Sequence, residues 1–394
     1  MPLMCLLASL LIGLTLIATT AYPGPLDELE HVSYAAFLQE TGRLLPKFEL
    51  QRILVIDDMG RWTDRPNYLG HPSPFYVLIS LFLDRTLGAA PAILAPRLVS
   101  GGLILLGVAL ALWTGWRHFR RERTALLTFC LLLSLCPKLL VVASQVTNDS
   151  LAFLGGALAY WGLSMQERRR WLGSVGTTLG LVFALWAKPN AGLAVGALLG
   201  VFALLRPTCR AALLFAFAVA IAVGAFPYLL IIKDYGALVP VTAEQLVDVR
   251  QLDGFGSYVP AFLLTVGLTW SYTQTGAWPI PSLASLTASL LFWAMMACTA
   301  MGGCLAWRRG RTARDAIATA APLAFALVLP IHFWFSATKL GYSLPAASFR
   351  YYLPLWPPLA HALAYGVASG RHRWQRLFLA LVSFTALAVG WFSP

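Results

Sequence analysis

A chain of 394 residues with 58% apolar and only 12% charged residues, and a mean hydropathy of +0.70, is excluded from the ordinary soluble domains. Its apolar blocks run unbroken for the ~20 residues a helix needs to cross a bilayer, whereas barrel strands would alternate over ~10-residue segments; the composition predicts an all-α polytopic membrane protein. The formal net charge of +12 raises nucleic acid as a partner, but in so apolar a chain the position of each charge decides first.

Polar connectors are short, so residues 1–394 read as one integral membrane unit. The first apolar span, Met1 to Thr20, has no basic flank before it and is long for a cleaved leader, so it is expected to be a retained helix. A first loop at 21–97 follows. Between Tyr22 and His71 it holds 8 of the chain's 17 acidic residues. Within it, Val32, Ala35, Ala36 and Leu38 fall at helical spacing and predict an interfacial helix over Val32 to Leu45. Residues 57–71 are polar and turn-rich, with Asp57 and Asp58 read as solvated. Pro72 to Leu87 is apolar but only sixteen residues long.

Charge decides whether that short segment spans. Arginines gather at 117–123, 168–170, 206–210, 308–314 and 371–376, each group between apolar blocks. If Pro72 to Leu87 crosses, all five groups fall outside the cell; if it is half-inserted or interfacial, all five fall in the cytoplasm, as the positive-inside rule requires. The second layout is adopted. It predicts about eleven transmembrane helices, the later ones at about 98–116, 124–142, 148–165, 172–187, 190–205, 211–232, 284–306, 316–336, 349–369 and 377–392. A second long extracytoplasmic loop then covers 233–283. The arginine clusters are thereby explained as topology determinants, and no nucleic-acid partner is expected.

Six cysteines show no paired spacing and no metal-ligand spacing occurs, so neither a disulfide frame nor a zinc site is indicated. Nearly every polar residue that is hard to explain in an apolar chain falls on the outer side: Asp27, Glu28 and His31 after the first span, His71 at the end of the polar loop, Asn148 and Asp149 at the start of a span, Lys188 at the end of another, and Arg350 with Tyr351 at the start of the penultimate one. Ionisable groups at membrane depth are costly, and are functional or paired.

Several roles are open for each. Asp27 and Asn148-Asp149 are suitable helix N-caps. His31, four residues after Asp27, shares its face on a helix and is suited either to a structural hydrogen bond or to a proton or phosphate. His71 precedes Pro72, which holds it in an extended turn. Lys188 can snorkel to the interface. Arg350 can grip a phosphate bidentately or, with Tyr351, belong to an interfacial belt.

The segments Pro25-Leu26-Asp27-Glu28-Leu29-Glu30-His31, His71-Pro72-Ser73-Pro74-Phe75-Tyr76, Asn148-Asp149-Ser150-Leu151, Lys188-Pro189 and Arg350-Tyr351-Tyr352-Leu353-Pro354 occur in that order. Together they resemble the GT-C superfamily of membrane glycosyltransferases, in the branch of protein O-mannosyltransferases and lipid A aminoarabinose transferases. The likeness covers about residues 1–200 and 345–360; the middle is matched only by hydropathy.

The resemblance implies an inverting enzyme of the plasma (inner) membrane, multi-pass, with an extracytoplasmic active site. Such an enzyme moves a sugar from a polyprenyl-phosphate carrier to a lipid, glycan or protein acceptor. It further implies that Asp27 is the catalytic base, that Glu28 orients Asp27 or the acceptor or raises its proton affinity, and that His71 and Lys188 lie near the sugar phosphate. Asn148 and Asp149 would hydrogen-bond the sugar or fix the loop of Asp27, and Arg350 with Tyr351 would contact phosphate. Some relatives use a divalent ion held by an Asp-x-Asp motif that the first loop lacks; no cofactor is expected, and a divalent cation is not indicated.

Two other classes fit the same composition. A transporter or flippase of lipid-linked sugars would place its ionisable residues near the midplane and show repeated halves, and no repeat is evident. A non-catalytic GT-C relative would keep the scaffold without the reaction.

Overall fold

A computed structural model describes residues 1–45, 47–238, 240, 254–271, 283–310, 312–339, 341–342, 348–370 and 373–392. Among the described residues the only sheet is an antiparallel pair, β1 (Arg52–Leu54) and β2 (Trp62–Pro66); nearly everything else is helix. In chain order the first helices are α1 (Pro2–Thr19), α2 (Glu28–Thr41), α3 (Pro74–Ser80) and α4 (Ala89–Phe119). Then come α5 (Arg123–Ser134), α6 (Pro137–Ala143), α7 (Asp149–Met165), α8 (Arg170–Ala187) and α9 (Pro189–Leu205). The remainder are α10 (Arg210–Gly224), α11 (Phe226–Tyr235), α12 (Phe255–Leu268), α13 (Leu283–Arg309), α14 (Ala313–Lys339), the 3-10 segment Phe349–Leu355, α15 (Trp356–Ser369) and α16 (Arg373–Phe392).

Five stretches are long and apolar enough to cross a membrane, at Pro2–Thr19, Ala89–Phe119, Pro207–Gly224, Leu286–Arg309 and Ala313–Lys339, with the bent pair α5 and α6 as a sixth. The chain is therefore a helical protein with several membrane-competent helices. The shorter apolar helices Pro189–Leu205 and Phe255–Leu268 do not reach that length by themselves.

Several segments differ from their sequence expectation. The helix expected at Val32 begins at Glu28, and it is buried almost all round from Glu28 to Leu38 instead of lying amphipathically at an interface. Loop elements cover it: Gln39 Nε2 donates to the carbonyls of Ser80 and Leu83 at 2.6 and 2.7 Å, and Leu54 N donates to Ser33 Oγ at 3.0 Å. The segment from Pro72 forms only the two-turn α3 before turns lead to α4, which starts at Ala89, nine residues ahead of the expected span. The span expected at 124–142 is broken before Pro137, where α5 and α6 diverge by 43°. Proline cannot donate to the preceding turn, so a helix ends or kinks there. The expected span at 211–232 is likewise interrupted at Ala225, just before Pro227. The loop expected at 233–283 contains α12, while residues 239, 241–253 and 272–282 lie outside the described residues.

Small residues bring the helices together. A Cβ on Gly155 would lie 2.7 Å from the carbonyl oxygen of Gly180, so α7 and α8 approach backbone to backbone, the usual device for helices that cannot rely on the hydrophobic effect in lipid. Gly156 has the backbone of Pro354 against it, leaving no room for a side chain. That contact seats the 3-10 segment two turns from the start of α7 and fixes where Arg350 falls.

Arginines from three of the basic clusters, Arg117, Arg206 and Arg314, gather at the far end of α7, whose 17 residues span about 25 Å. There Arg117 reaches Met165 Sδ at 3.6 Å, Arg206 pairs with Glu167, and Arg314 pairs with Glu122 at 3.1 Å. The other end holds the residues singled out for chemistry.

Candidate active site

Four separated parts of the chain meet at that end: the start of α2, the start of α7, the junction of α8 and α9, and the 3-10 segment. Their positions depend first on Arg97. Its guanidinium donates to the carbonyls of Ile17, Thr20 and Ala21 at 3.3, 2.7 and 3.1 Å, satisfying groups that the end of α1 leaves without helical partners. It also forks onto Glu28, Nε to Oε1 at 2.8 Å and NH2 to Oε2 at 2.6 Å. Glu28 accepts two further bonds, from the backbone N–H of Gly24 at 2.8 Å and of Val146 at 2.9 Å. Its carboxylate is thus fully engaged and 0% exposed, and it faces this joint instead of the neighbouring carboxylate.

Asp27 precedes it in a left-handed conformation, φ 58° and ψ 29°, which a non-glycine residue adopts only under constraint. It occupies the N-cap position of α2, yet its side chain makes no capping bond. The carboxylate instead receives NH2 of Arg350 at 2.7 Å and a hydrogen bond from Tyr68, and the side chain keeps 31% of its exposure. Burial alone would raise its pKa; the Arg350 guanidinium outweighs that and, helped by His31 and Tyr68, holds it below the usual carboxylate range.

Asp149 lies beside this pair. Its Oδ1 is paired with Lys188, and its Oδ2 is 3.9 Å from Arg350 Nε and 3.3 Å from Thr147 Oγ1. Lys188 breaks the chain direction between α8 and α9 in an extended conformation, which Pro189 favours in the residue before it. Asn148 ties the same junction together, donating to the carbonyl of Ala187 at 2.8 Å. Tyr351 offers its ring to both cations, with Lys188 Nζ at 4.5 Å and Arg350 Cζ at 5.4 Å from the centroid. Asp27, Asp149, Lys188, Arg350 and Tyr351 therefore form one cluster of alternating charge.

His31 is buried beside it, stacked on Tyr76 with centroids 5.7 Å apart and its Nδ1 3.0 Å from the Tyr76 hydroxyl. Burial depresses its pKa to about 3 against the pull of Asp27. His71 is also depressed to about 3, by burial and then by Lys188 and Arg350. Its carbonyl accepts from Tyr34 at 3.3 Å. Both imidazoles are therefore neutral at ordinary pH, and neither supplies a cation. Asp57 and Asp58 lie exposed near the loop hairpin.

Two participants are not visible in the sequence: Arg97 falls at the tail of the expected first loop, and Tyr68 is one residue among many in its polar part. His332 with Tyr352, at 2.7 Å, joins Asn190 and Tyr351 around a small cavity between α9 and α14 that reaches the exposed Ile331. Among the described residues no group of three or more His, Cys, Asp or Glu is placed to hold a metal ion, and all six cysteines are unpaired thiols.

No protein-family model, no curated protein and no solved structure matches the chain. A partly exposed carboxylate beside cations is suited to taking a proton from a nucleophile while those cations stabilise an anionic leaving group.

Proposed function

We propose that the protein is an inverting glycosyltransferase that moves a sugar from a polyprenyl-phosphate carrier to an acceptor at the extracytoplasmic face of the plasma membrane. One observation carries the reading: the partly exposed Asp27 is the carboxylate paired with Arg350, beside the Asp149–Lys188 pair, at the end opposite the arginine clusters. In this reading the shorter helices complete a bundle of about eleven spans, and the positive-inside rule puts the arginine end in the cytoplasm. The small cavity beside Tyr351 and His332 reaches toward exposed Ile331, the side from which a carrier in the lipid would approach.

The acceptor hydroxyl or amine attacks the anomeric carbon as Asp27 takes its proton. The carbon–oxygen bond to phosphate breaks, and its electron pair leaves with the phosphate, whose growing charge Arg350 and Lys188 stabilise. In the resting protein Arg350 keeps the proton affinity of Asp27 low. As the guanidinium shares its charge with the phosphate, Asp27 becomes a stronger base, so donor binding prepares the base. Neutral His31 and His71 line the site as hydrogen-bonding groups.

A strain lacking the protein tests this. Its lipid extract is expected to accumulate a polyprenyl-phosphate sugar, which names the donor, and to lack one glycoconjugate, which names the acceptor. An unchanged lipid profile contradicts the reading, and accumulation confined to the cytoplasmic leaflet would indicate a flippase instead.

A further inference from the structure

Three cations are buried among the described residues: Arg97, Lys138 and Lys188. Arg97 has Glu28 and Lys188 has Asp149. Lys138, 1% exposed, enters none of the ion pairs among the described residues. It stands in the first turn of α6, just past the break at Pro137, where α6 packs against the 3-10 segment, and it is close enough to Arg350 for the two charges to repel. Burying an ammonium without a counter-charge is among the costliest arrangements a protein can hold. Beside Lys138, Nε of Arg350 is buried with no hydrogen-bond partner, and Asp149 Oδ2 lies 3.9 Å away. A buried ammonium outside any ion pair, beside a guanidinium N–H without a partner, is suited to binding an anion.

Charge complementarity narrows what the anion is. Glu28 is neutralised by Arg97 and Glu30 by Arg65, and His31 and His71 are uncharged. The cluster then consists of Lys138, Lys188 and Arg350 against Asp27 and Asp149, with one positive charge in excess. We propose that Lys138 and the Nε edge of Arg350 hold the phosphate of the lipid-linked donor, and that Lys138 supplies the excess charge which matches it. This rests on the function proposed above. A sugar-phosphate-polyprenol diester carries one negative charge. On transfer the acceptor proton moves to Asp27, the excess rises to two, and the leaving polyprenyl phosphate carries up to two. The match therefore holds on both sides of the reaction because Lys138 is present. With Lys138 absent the donor would enter a neutral site.

The test uses the purified full chain with polyprenyl phosphate, uncharged polyprenol and inorganic phosphate as probes. Polyprenyl phosphate binding should weaken tenfold or more in Lys138→Gln and stay within about threefold of wild type in Lys138→Arg, while polyprenol binding is unchanged in both. The ligand-free protein should melt higher as Lys138→Met, because the substitution removes an unpaired buried charge; a purely structural lysine would make it melt lower. If Lys138→Gln binds polyprenyl phosphate as wild type does, the assignment of Lys138 is overturned and the carrier reading stands. If wild type binds inorganic phosphate in a Lys138-dependent way but not polyprenyl phosphate, the Lys138 site stands and the carrier reading falls. Binding of neither probe by wild type overturns both.

Discussion

Asp27 and Glu28 are consecutive carboxylates with opposite situations. Glu28 is sealed, receives four hydrogen bonds, and shares a bidentate fork with an arginine that also ties down three carbonyls of α1. Asp27 is held in a strained left-handed turn, leaves its capping position unused, and retains exposure beside a single arginine contact. Chemical type does not separate these two regions; satisfaction and access do. The Glu28–Arg97 joint is a scaffold, since every lone pair and proton in it is committed. The Asp27–Arg350 pair has capacity left over, and that is where a substrate can exchange partners.

Breaking the scaffold should have the largest effect. Glu28→Ala leaves Arg97 charged, buried and unpaired, and should cost about 3–5 kcal/mol. Loss of folded protein in a thermal-stability assay after detergent extraction checks this. Asp27→Asn should do the reverse, leaving the melting temperature near wild type while transfer falls on the order of 10²–10⁴-fold, as for removal of a general base. Equal loss of stability in the two variants would erase the contrast between the regions.

Acid sharpens the comparison further. Because Arg350 holds the Asp27 pKa below its ordinary value in the free protein, kcat/KM should show no acid loss near the usual carboxylate range, whereas the acid limb of kcat should lie higher once the donor engages Arg350. Arg350→Gln should bring the acid limb of kcat/KM upward. His31 and His71 bind protons in the unfolded chain near pH 6.5 but in the folded chain only near pH 3. Their stabilising contribution is therefore complete above the unfolded value and is lost as pH falls below it, so the melting temperature should drop between pH 7 and pH 5. His31→Phe should flatten part of that slope. The smallest effect belongs to Asp58→Asn, whose 3.9 Å pair with Arg61 is exposed on both sides; stability should move by less than about 1 kcal/mol.

Part of this arrangement was legible beforehand. Runs of apolar residues and the placement of arginines indicate helices with one basic end, and the structure gathers Arg117, Arg206 and Arg314 at one end of α7. The residues Asp27, Asp149, Lys188, Arg350 and Tyr351 stand out because charge and aromatic rings are rare in such a chain, and they do converge. What stayed hidden depends on tertiary contact. Glu28 beside Asp27 suggests a pair of cooperating carboxylates, and nothing local says that Arg97, 69 residues on, takes it away. The burial of α2 escapes a periodicity argument because its Glu30 and His31 are polar yet covered, one by Arg65 and the other by Tyr76. The break that exposes Lys138 to the cluster had one signal, Pro137, inside a stretch otherwise apolar enough to pass as a single span.

The central claim is that Asp27 is the base of a transfer reaction on a framework that Glu28 maintains. The most direct measurement follows the release of polyprenyl phosphate from the purified protein, supplied with the carrier-linked sugar and acceptor identified from the deletion strain, in wild type and Asp27→Asn at matched folded concentration. The account predicts release by wild type and at least a hundredfold slower release by Asp27→Asn, with donor binding retained. Release at the wild-type rate by Asp27→Asn would contradict it.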